Sequence, residues 1–363
     1  MKINVYISTL TIGGSERVCI TLIDSLVKKK FDVELILLKP PSDSINIPTS
    51  VLSVLYCLNI GRARNSFFHI AKSILIRRPD VVLVFNHQIC VVIYLIKFLL
   101  GLNFKIIARN ISNLVEKSRL ETSPFRKTVQ PYIVKFVFNR INCIVCQSAG
   151  MANQLTVDYK IDQSKIRIIN NPIPNEFQKI QPQLDLLRRV NKNQILFVGR
   201  LHAVKGFEHI LNVFEKVLEK NSLAKLIIAG EGPYRDKLEN MISQRGLNAS
   251  ISLVGNQKEI KELYLCSAVT ILASIYEGFP NVLVESISLG TPIVSFDINF
   301  GPSEIIEENV NGHLIPFGDT ELMAEKILGI STSPINYKQI VLSSRRYDNE
   351  KIVQKYIGLI NEV

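Results

Sequence analysis

Two glutamates, Glu277 and Glu285, lie eight positions apart and enclose a Gly-Phe-Pro-Asn segment at 278–281. The apolar run 269–272 before them predicts a buried parallel strand, and Pro280 suits the first turn of a helix. A glycine turn between a strand and a helix collects free backbone N–H groups and the positive end of a helix dipole, which together favour a phosphate. Glu285, about one turn into the helix, could accept hydrogen bonds from sugar hydroxyls. Glu277 lies at the carboxyl end of the strand, where ligands bind in open α/β sheets.

Cations and a glycine pair follow two other predicted strands. Arg200 and Lys205 lie in the segment FVGRLHAVKG, where they could neutralise a diphosphate and the charge that grows as it leaves. Gly14 completes a Gly-Gly pair between the first strand and the first helix, which permits close backbone approach to an anion. The pair is not a G-x-G-x-x-G, so a nicotinamide dinucleotide is poorly supported. The alternative is that both cations are solvent-exposed residues of a surface loop and that the glycines only form a turn.

The elements that must position these residues alternate along the chain, which predicts an α/β protein. Strands are expected at 2–7, 33–38, 81–85, 105–108, 143–146, 166–169 and 195–198. A Pro-, Asn- and Gln-rich segment, 170–183, interrupts the pattern without periodicity, as a linker does. We therefore predict two Rossmann-like domains facing across a cleft. The predicted boundaries are an N-terminal domain at 1–170, a linker at 171–190, a second domain at 191–340 and a C-terminal helix at 341–363.

Composition is consistent with this organisation. The 363 residues are 47% hydrophobic and 21% charged, which can fill the cores of two domains. The N-terminus lacks the apolar core of a signal peptide, and the longest apolar run, 89–102, contains Lys97 and is shorter than the roughly 20 residues of a spanning helix. We expect a cytoplasmic protein. Cys143 and Cys146 form one C-x-x-C inside a predicted strand, and without a second pair we expect buried structural cysteines rather than a zinc site.

Charge is shared unequally between the two halves. Residues 1–175 hold 23 Lys and Arg against 10 Asp and Glu, whereas residues 176–363 hold 20 against 22. This asymmetry predicts an acidic partner for the first half. Nucleic acid is not expected, because no binding motif or aromatic platform accompanies the charge. The segments 62–78 and 124–140 mix basic, aromatic and apolar residues, which suits peripheral contact with an anionic membrane. Alternatively, each of these two segments packs its apolar side on a sheet and exposes its basic side to water.

The E-x7-E spacing of Glu277 and Glu285 resembles the signature of the family 4 retaining glycosyltransferases, enzymes of the GT-B fold. Residues 13–17 match the family's GG-x-E-R opening, and Arg200 and Lys205 match its G-R-L-x-x-x-K-G pattern. Gly230 and Gly232 resemble its G-x-G-P loop, which we interpret as architecture more than chemistry. The resemblance covers nearly the whole chain and is looser in the first half.

The resemblance implies transfer of a hexose or N-acetylhexosamine from a nucleotide diphosphate sugar, UDP-linked, to a glycan or lipid-linked acceptor with retention of anomeric configuration. The form G-P-S-E-I-I at 301–306 resembles members that build bacterial surface polysaccharides such as capsule or O-antigen. The amphipathic stretch 347–360 would, by the same resemblance, brace the first domain.

The resemblance also implies roles for individual residues. Glu285 would hold the ribose and Glu277 the sugar, while Arg200 and Lys205 would stabilise the leaving phosphate. His87, at the end of the run VVLVFNH, would face the donor sugar, although a lone histidine is often structural. The remaining donor-binding positions are the glycine at the first turn and the residues between the glutamates: Gly14, Gly278, Phe279, Pro280 and Asn281. Arg109 and Asn110, at the end of the next strand, are further candidates for contact with donor or acceptor.

No Asp-x-Asp triplet occurs, so we expect no metal and no cofactor beyond the donor substrate. Two other classes stay open. One is a UDP-sugar 2-epimerase-like enzyme, which should carry more acid/base carboxylates and histidines than this chain with its five histidines. The other is a non-catalytic nucleotide-sugar-binding protein at the membrane.

Overall fold

The computed structural model describes residues 1–11, 13–42, 45–60, 66–110 and 124–363, and the side chains of 110 and 124–130 lie outside this description. The chain divides into two units. Unit 1 comprises Met1–Pro174 and Asn349–Val363, and unit 2 comprises Asn175–Asp348. Each unit is built on one parallel sheet with helices packed on it, so the predicted α/β class with two Rossmann-like domains is confirmed.

The sheet of unit 1 has seven parallel strands in the order β3-β2-β1-β4-β5-β6-β7. Its strands are β1 (Lys2–Ile7), β2 (Asp32–Leu37), β3 (Leu55–Cys57), β4 (Val81–Val84), β5 (Lys105–Asn110), β6 (Cys143–Cys146) and β7 (Ile166–Ile168). Strand β1 pairs with both β2 and β4, so the strand order reverses between β1 and β4. Ligands of open α/β sheets bind beyond the carboxyl ends of the strands at such a reversal.

Helices connect these strands across both faces of the sheet. The helices of the first segment are α1 (Gly14–Lys28), α2 (Thr49–Leu52), α3 (Ser66–Arg77), α4 (His87–Leu99), α5 (Pro124–Phe138) and α6 (Ala149–Val157). Residues Ile3, Val5 and Ile7 of β1 point into a core shared with Leu22 and Leu26 of α1. Both cysteines of the C-x-x-C are buried in β6, as predicted, and burial raises the pKa of Cys143 to about 11.

Unit 2 holds a second parallel sheet, of six strands in the order β10-β9-β8-β11-β12-β13. Its strands are β8 (Asn191–Val198), β9 (Lys225–Ala229), β10 (Ile251–Gly255), β11 (Ser267–Leu272), β12 (Ile293–Phe296) and β13 (Gly312–Ile315). Here the order reverses between β8 and β11. The segment with Arg200 and Lys205 follows β8, and the segment with Glu277 follows β11, so the topology brings the two segments to neighbouring positions.

The helices after Pro174 complete unit 2 and return the chain to unit 1. They are α7 (Asn175–Gln178), α8 (Leu184–Leu187), α9 (Phe207–Lys220), α10 (Arg235–Gln244), α11 (Ile260–Cys266), α12 (Asn281–Ser288), α13 (Pro302–Ile305), α14 (Thr320–Thr332), α15 (Tyr337–Ser344) and α16 (Asn349–Glu362). In α9, Phe207, Ile210, Leu211 and Phe214 are buried at the spacing of one helix face. That face packs in the core of unit 2.

The predicted linker, 171–190, contains structure of its own. From Asn175 onward it belongs to unit 2 and forms α7, a 3₁₀ turn and α8. Gln181 donates to the carbonyl of Ser288 at 3.0 Å, and Arg188 donates to the carbonyl of Leu289 at 2.6 Å and to Thr291 Oγ1 at 3.2 Å. These bonds close the C-terminal end of α12, so the segment anchors the helix that follows the E-x7-E turn.

The last helix, α16, packs with unit 1. Ile352, Val353 and Tyr356 lie in the same core as β1, and α16 contacts α1. Arg109 donates from Nε to Tyr356 Oη at 3.1 Å and from Nη2 to Asn171 Oδ1. Among the described residues, no helix is both long enough and apolar enough to cross a membrane.

Candidate functional site

The carboxyl edge of the unit 2 sheet brings Lys205 and Glu277 into direct contact. Lys205 ends a 3₁₀ turn, Ala203–Lys205, and Glu277 lies five positions beyond β11. The ammonium Nζ is 2.6 Å from Glu277 Oε1, and Ser274 donates its hydroxyl to the same oxygen at 2.7 Å. The two side chains are 17% and 14% exposed, so the pair is shielded but still reachable from solvent. A cation and a carboxylate are thus held at one point on the sheet edge.

A close approach of two backbone segments fixes this pair. The amide of Ile275 donates to the carbonyl of Val204 at 2.8 Å. Gly206 has φ +68°, and a Cβ there would lie 2.1 Å from the carbonyl oxygen of Ala273. Only glycine tolerates both the left-handed backbone and this contact. The glycine next to Lys205 therefore sets how near the lysine lies to Glu277.

The turn after Glu277 packs against Gly301 and Tyr347. Pro280 is the N-cap residue of α12 and has no side-chain acceptor, so the first helical N–H groups are not capped by their own N-cap side chain. Gly301 has φ +97°, and a Cβ there would lie 2.4 Å from Pro280 Cδ. Phe279 is buried against Tyr347, with ring centroids 5.8 Å apart. Gly278 and Asn281, on either side, are half-buried.

Glu285 lies inside α12 rather than on its surface. Its side chain is only 3% exposed, and Oε2 accepts a hydrogen bond from Tyr264 Oη at 3.1 Å. Tyr264 is itself fully buried in α11 and packs edge-on against Phe177 of α7. The carboxylate is therefore oriented by a buried phenol, a partner that its sequence position did not predict.

Arg200 is exposed and makes no hydrogen bond or ion pair within the described ranges of the chain. It follows Gly199, whose carbonyl approaches Gly230 so closely that a Cβ on Gly230 would lie 1.9 Å from it. A Cβ on Gly232 would likewise lie 2.2 Å from the carbonyl of Leu201. The two glycines therefore allow the loops after β8 and β9 to pack together, and the exposed Arg200 lies in the first of these loops.

The candidate residues of unit 1 lie at the carboxyl edge of its own sheet. Gly14 begins α1 after β1, and His87 begins α4 after β4, so they follow neighbouring strands at the reversal of strand order. His87 is buried, and Asn86 caps α4 by accepting from the amide of Gln88 at 2.7 Å. Glu16 accepts from Ser15 Oγ at 2.6 Å and folds back against Gly13.

Arg109 connects β5 to the last helix of unit 1. Its side chain is buried, its hydrogen bonds reach Tyr356 and Asn171, and its guanidinium carbon lies 4.9 Å from the centre of the Phe85 ring. This cation joins β5 to α16, and its contact with donor or acceptor stays a prediction. The side chain of Asn110 lies outside the described residues. Within those residues, no three His, Cys, Asp or Glu side chains cluster as metal ligands would.

Two family models match the chain in succession. Residues 12–177 match Glycosyltransferase Family 4, and residues 183–347 match Glycosyl transferases group 1. An uncharacterized glycosyltransferase of Methanocaldococcus jannaschii is 33% identical over 179 residues, which is 47% of this chain and 45% of the relative. The chain thus spans less than half the length of this relative.

Other relatives match over nearly their full length. The amylovoran biosynthesis glycosyltransferase AmsD of Erwinia amylovora is 27% identical, with 96% of each chain covered. A GalNAc-alpha-(1->4)-GalNAc-alpha-(1->3)-diNAcBac-PP-undecaprenol alpha-1,4-N-acetyl-D-galactosaminyltransferase of Campylobacter jejuni is 24% identical, with 100% of this chain and 99% of the relative covered.

Among solved structures, Anabaena Alr3699/HepE in complex with UDP and glucose superposes with a TM-score of 0.78 at 16% identity, with 100% of both chains covered. The two parallel sheets and this likeness define a protein of the GT-B fold. The chain belongs to the family 4 glycosyltransferases.

Proposed function

We propose that this chain moves a hexose or N-acetylhexosamine from a UDP-sugar to a glycan or lipid-linked acceptor, with retention of anomeric configuration, in bacterial surface polysaccharide synthesis on the cytoplasmic side of the membrane. The observation that carries the proposal is the Lys205–Glu277 pair at the strand-order reversal of unit 2. The matched relatives support the product class, since one is named for amylovoran and another for an undecaprenol-linked glycan. The UDP in the HepE structure supports the nucleotide.

The leaving group meets positive charge in this proposal. Arg200 is exposed and makes no hydrogen bond or ion pair within the described residues, and Lys205 follows it five positions later in the chain. Oriented cations stabilise the charge that develops on a departing diphosphate, and the N-terminus of α12 adds its dipole. The ion pair with Glu277 fixes the position of the Lys205 ammonium before the donor binds. A phosphate of the donor would therefore bind a cation that is already positioned.

Glu277 and Glu285 hold the donor rather than attack it. When phosphate binds Lys205, Glu277 keeps the hydrogen bond from Ser274 and offers its other oxygen to sugar hydroxyls. Glu285 accepts from Tyr264 at one oxygen, so a ribose hydroxyl would share the carboxylate with this phenol. Neither carboxylate is assigned as a nucleophile. Retention then follows from attack on the same face that the leaving phosphate occupies, and the protein's cations replace a metal ion.

The test begins with a panel of UDP- and GDP-sugars, with and without lipid-linked glycan acceptors, followed by donor hydrolysis, transfer and the anomeric configuration of the product. Lys205→Ala and Glu277→Ala should each lower transfer by about 10²–10³, the loss typical of one preorganised electrostatic group. Lys338→Ala is the matched control, because Lys338 pairs with Asp185 at 3.6 Å on the exposed surface of the same unit. Its transfer rate should match the wild type.

Several outcomes would contradict the proposal. Full transfer by either site variant would remove the assignment of the pair. A donor epimerised at C2 without transfer would indicate the epimerase class, and nucleotide binding without turnover on any acceptor would indicate a binding protein. A product with inverted configuration would overturn retention, and loss of transfer in EDTA that Mg²⁺ restores would overturn metal independence.

A further inference from the structure

Three helices of unit 1 lie side by side on one face of its sheet. The connections β3–α3–β4, β4–α4–β5 and β5–α5–β6 all run in the same direction across the strand order. Right-handed crossovers that run in one direction place their helices on one face of a sheet. Helix α4 contacts both α3 and α5. The outer sides of α3, α4 and α5 therefore form one continuous surface, which we term the outer layer.

The middle helix of this layer is apolar on its outer side as well as its inner side. Ile89, Ile93 and Ile96 are buried, whereas Leu95 and the pair Phe98 and Leu99 are exposed. The charged residue of α4, Lys97, turns inward and donates to the carbonyl of Phe104. Surface helices normally present polar residues to water, so a helix that is apolar all round requires a non-aqueous neighbour on its outer side.

The flanking helices extend the same surface. Phe68, Leu75 and Ile76 of α3 are exposed, as are Tyr132, Ile133 and Phe136 of α5. The rings of Tyr94 on α4 and Phe136 on α5 meet edge-on at 6.2 Å, which joins the two helices. With Leu95 and Phe98–Leu100, ten of the 22 exposed large hydrophobic residues among those described lie on this layer. The concentration is too high for the scattered surface apolar residues of an ordinary protein.

Charge identifies the partner. The residues of α3, α4 and α5 include six Lys and Arg and no Asp or Glu. Lys72 is exposed among the apolar residues of α3, and Arg78 and Arg140 are exposed just after α3 and α5. Exposed apolar and aromatic side chains flanked by these three exposed cations, on helices that carry no Asp or Glu, complement an anionic lipid surface. The apolar side chains enter the interface and the cations meet the lipid headgroups.

We infer that the outer layer seats unit 1 on an anionic bilayer, with Phe98, Leu99 and Tyr132 among the side chains that enter the interface. Helix α4 lies on the membrane rather than across it, because its 13 residues extend about 20 Å against a hydrocarbon core of about 30 Å. Phe98 and Leu99 end α4 where the chain returns to the start of β5. His87, at the opposite end of α4, is buried and so does not enter the interface.

The test is binding of the full chain to vesicles of phosphatidylcholine alone and of phosphatidylcholine with phosphatidylglycerol. We expect wild type to bind the anionic vesicles more tightly, and Phe98→Ser/Leu99→Ser/Tyr132→Ser to weaken that binding by at least about tenfold. Leu186→Ser/Leu223→Ser is the matched control, because both leucines are as exposed as Phe98 but belong to unit 2. The control should bind as wild type does.

A second pair of variants tests the charge. Lys72→Gln and Arg78→Gln should each weaken binding to anionic vesicles by roughly fivefold and leave binding to neutral vesicles unchanged, as expected for cations near an anionic surface. Circular dichroism and hydrolysis of a donor sugar without membranes accompany every variant. They should match wild type, since these residues are exposed and lie away from the candidate site.

This inference rests on the proposed function in one respect, namely that a lipid-linked acceptor lies in the membrane. The docking surface itself is argued from the exposed residues of unit 1. Wild type that ignores anionic vesicles would overturn the docking surface even if transfer to a water-soluble acceptor is normal. Equal loss of binding in the unit 2 control would also overturn it. A wild type that dimerises, with a monomeric triple variant and no vesicle binding by either, would assign the surface to a second copy of this chain.

Discussion

The nearness of Lys205 to Glu277 depends on a residue that carries no side chain. Gly206 lets the turn after β8 pass against the carbonyl of Ala273, and the amide of Ile275 then bonds to Val204. The sequence predicted that Lys205 and Glu277 serve one site, because parallel strands deliver both to one sheet edge. It did not predict their direct ion pair, which depends on this backbone contact.

Gly206→Ala should therefore destabilise unit 2 and lower transfer. A left-handed backbone costs a non-glycine residue about 1–3 kcal/mol, and the clash with Ala273 adds to that cost. Gly246→Ala is the matched control, since Gly246 also has φ +68° but a Cβ there would meet nothing within 4 Å. We expect urea unfolding to show a loss at least about 1 kcal/mol larger for Gly206→Ala. Equal losses would mean that the Ala273 contact does not constrain the turn.

Glu285 shows a second limit at the residue scale. Its place one turn into a helix was predictable from Pro280 and the apolar residues that follow. Its burial and its bond from Tyr264 were not, because Tyr264 lies 21 positions earlier on another helix. Ser274, which donates to Glu277, lies only three positions before it in the sequence. The sequence showed a nearby hydroxyl but not that it bonds to the carboxylate.

At the scale of elements, strands with long β-branched runs were predictable to within a few residues. Strand β6 coincides with its prediction at Cys143–Cys146, whereas β8 begins four residues earlier than expected. The edge strand β3 has only three residues and gave no alternation to detect. The helices α7 and α8 have four residues each, too few for a periodic pattern. The segment that contains them is held by side-chain bonds from Gln181 and Arg188 to the end of α12, which no local sequence signal encodes.

Arg188 makes two of these side-chain bonds, so its removal should destabilise the protein. Its guanidinium donates to the carbonyl of Leu289 and to Thr291 at the C-terminal end of α12, where a cation is stabilised by the negative end of the helix dipole. Burial lowers its pKa to about 10, so it remains charged at neutral pH. Arg188→Ala should reduce the free energy of unfolding by about 2 kcal/mol, as measured by urea denaturation.

The neighbouring Arg189 provides the control, because it is exposed and makes no bond within the described part of the chain. Arg189→Ala should change the unfolding free energy by no more than about 0.5 kcal/mol. If the two variants unfold alike, the segment before β8 is a linker after all and does not anchor α12.

At the scale of the whole molecule, the reactivity of the six cysteines would show which parts of each unit are closed to solvent. Burial raises the pKa of Cys90 to about 12 and also raises the pKa of Cys19, whereas Cys57 and Cys266 are only half-buried. The thiolate is the reactive form, so a buried thiol with a raised pKa is unreactive at pH 8. Iodoacetamide should therefore modify Cys57 and Cys266 first, and Cys19 and Cys90 only after unfolding.

Mass spectrometry of the alkylated peptides, with and without denaturant, checks this order. Raising the pH from 8 to 9 should leave Cys90 of the folded protein unmodified, because its thiol stays protonated well below pH 12. Modification of Cys90 at the rate of Cys57 in the folded protein would show that the face of the sheet beneath α4 opens to solvent.

The uneven charge of the chain also has meaning at this scale. The excess of cations in the first half was visible in the sequence, and the structure gathers part of it around the outer layer of α3, α4 and α5. The sequence could not show that the outer side of α4 is apolar and exposed, since a run such as VVIYLIKFLL is equally compatible with a buried helix.

The return of α16 to unit 1 bears on the order of events during synthesis. Unit 2 is continuous in the chain, so its strands leave the ribosome one after another with no segment of unit 1 between them. Unit 1 must wait, because Ile352, Val353 and Tyr356 reach its core only after the whole of unit 2 has been translated. Until then the groove for α16 on β1 and α1 is open, and the buried cation of Arg109 lacks its tyrosine. The first unit to be translated is thus the last to be completed.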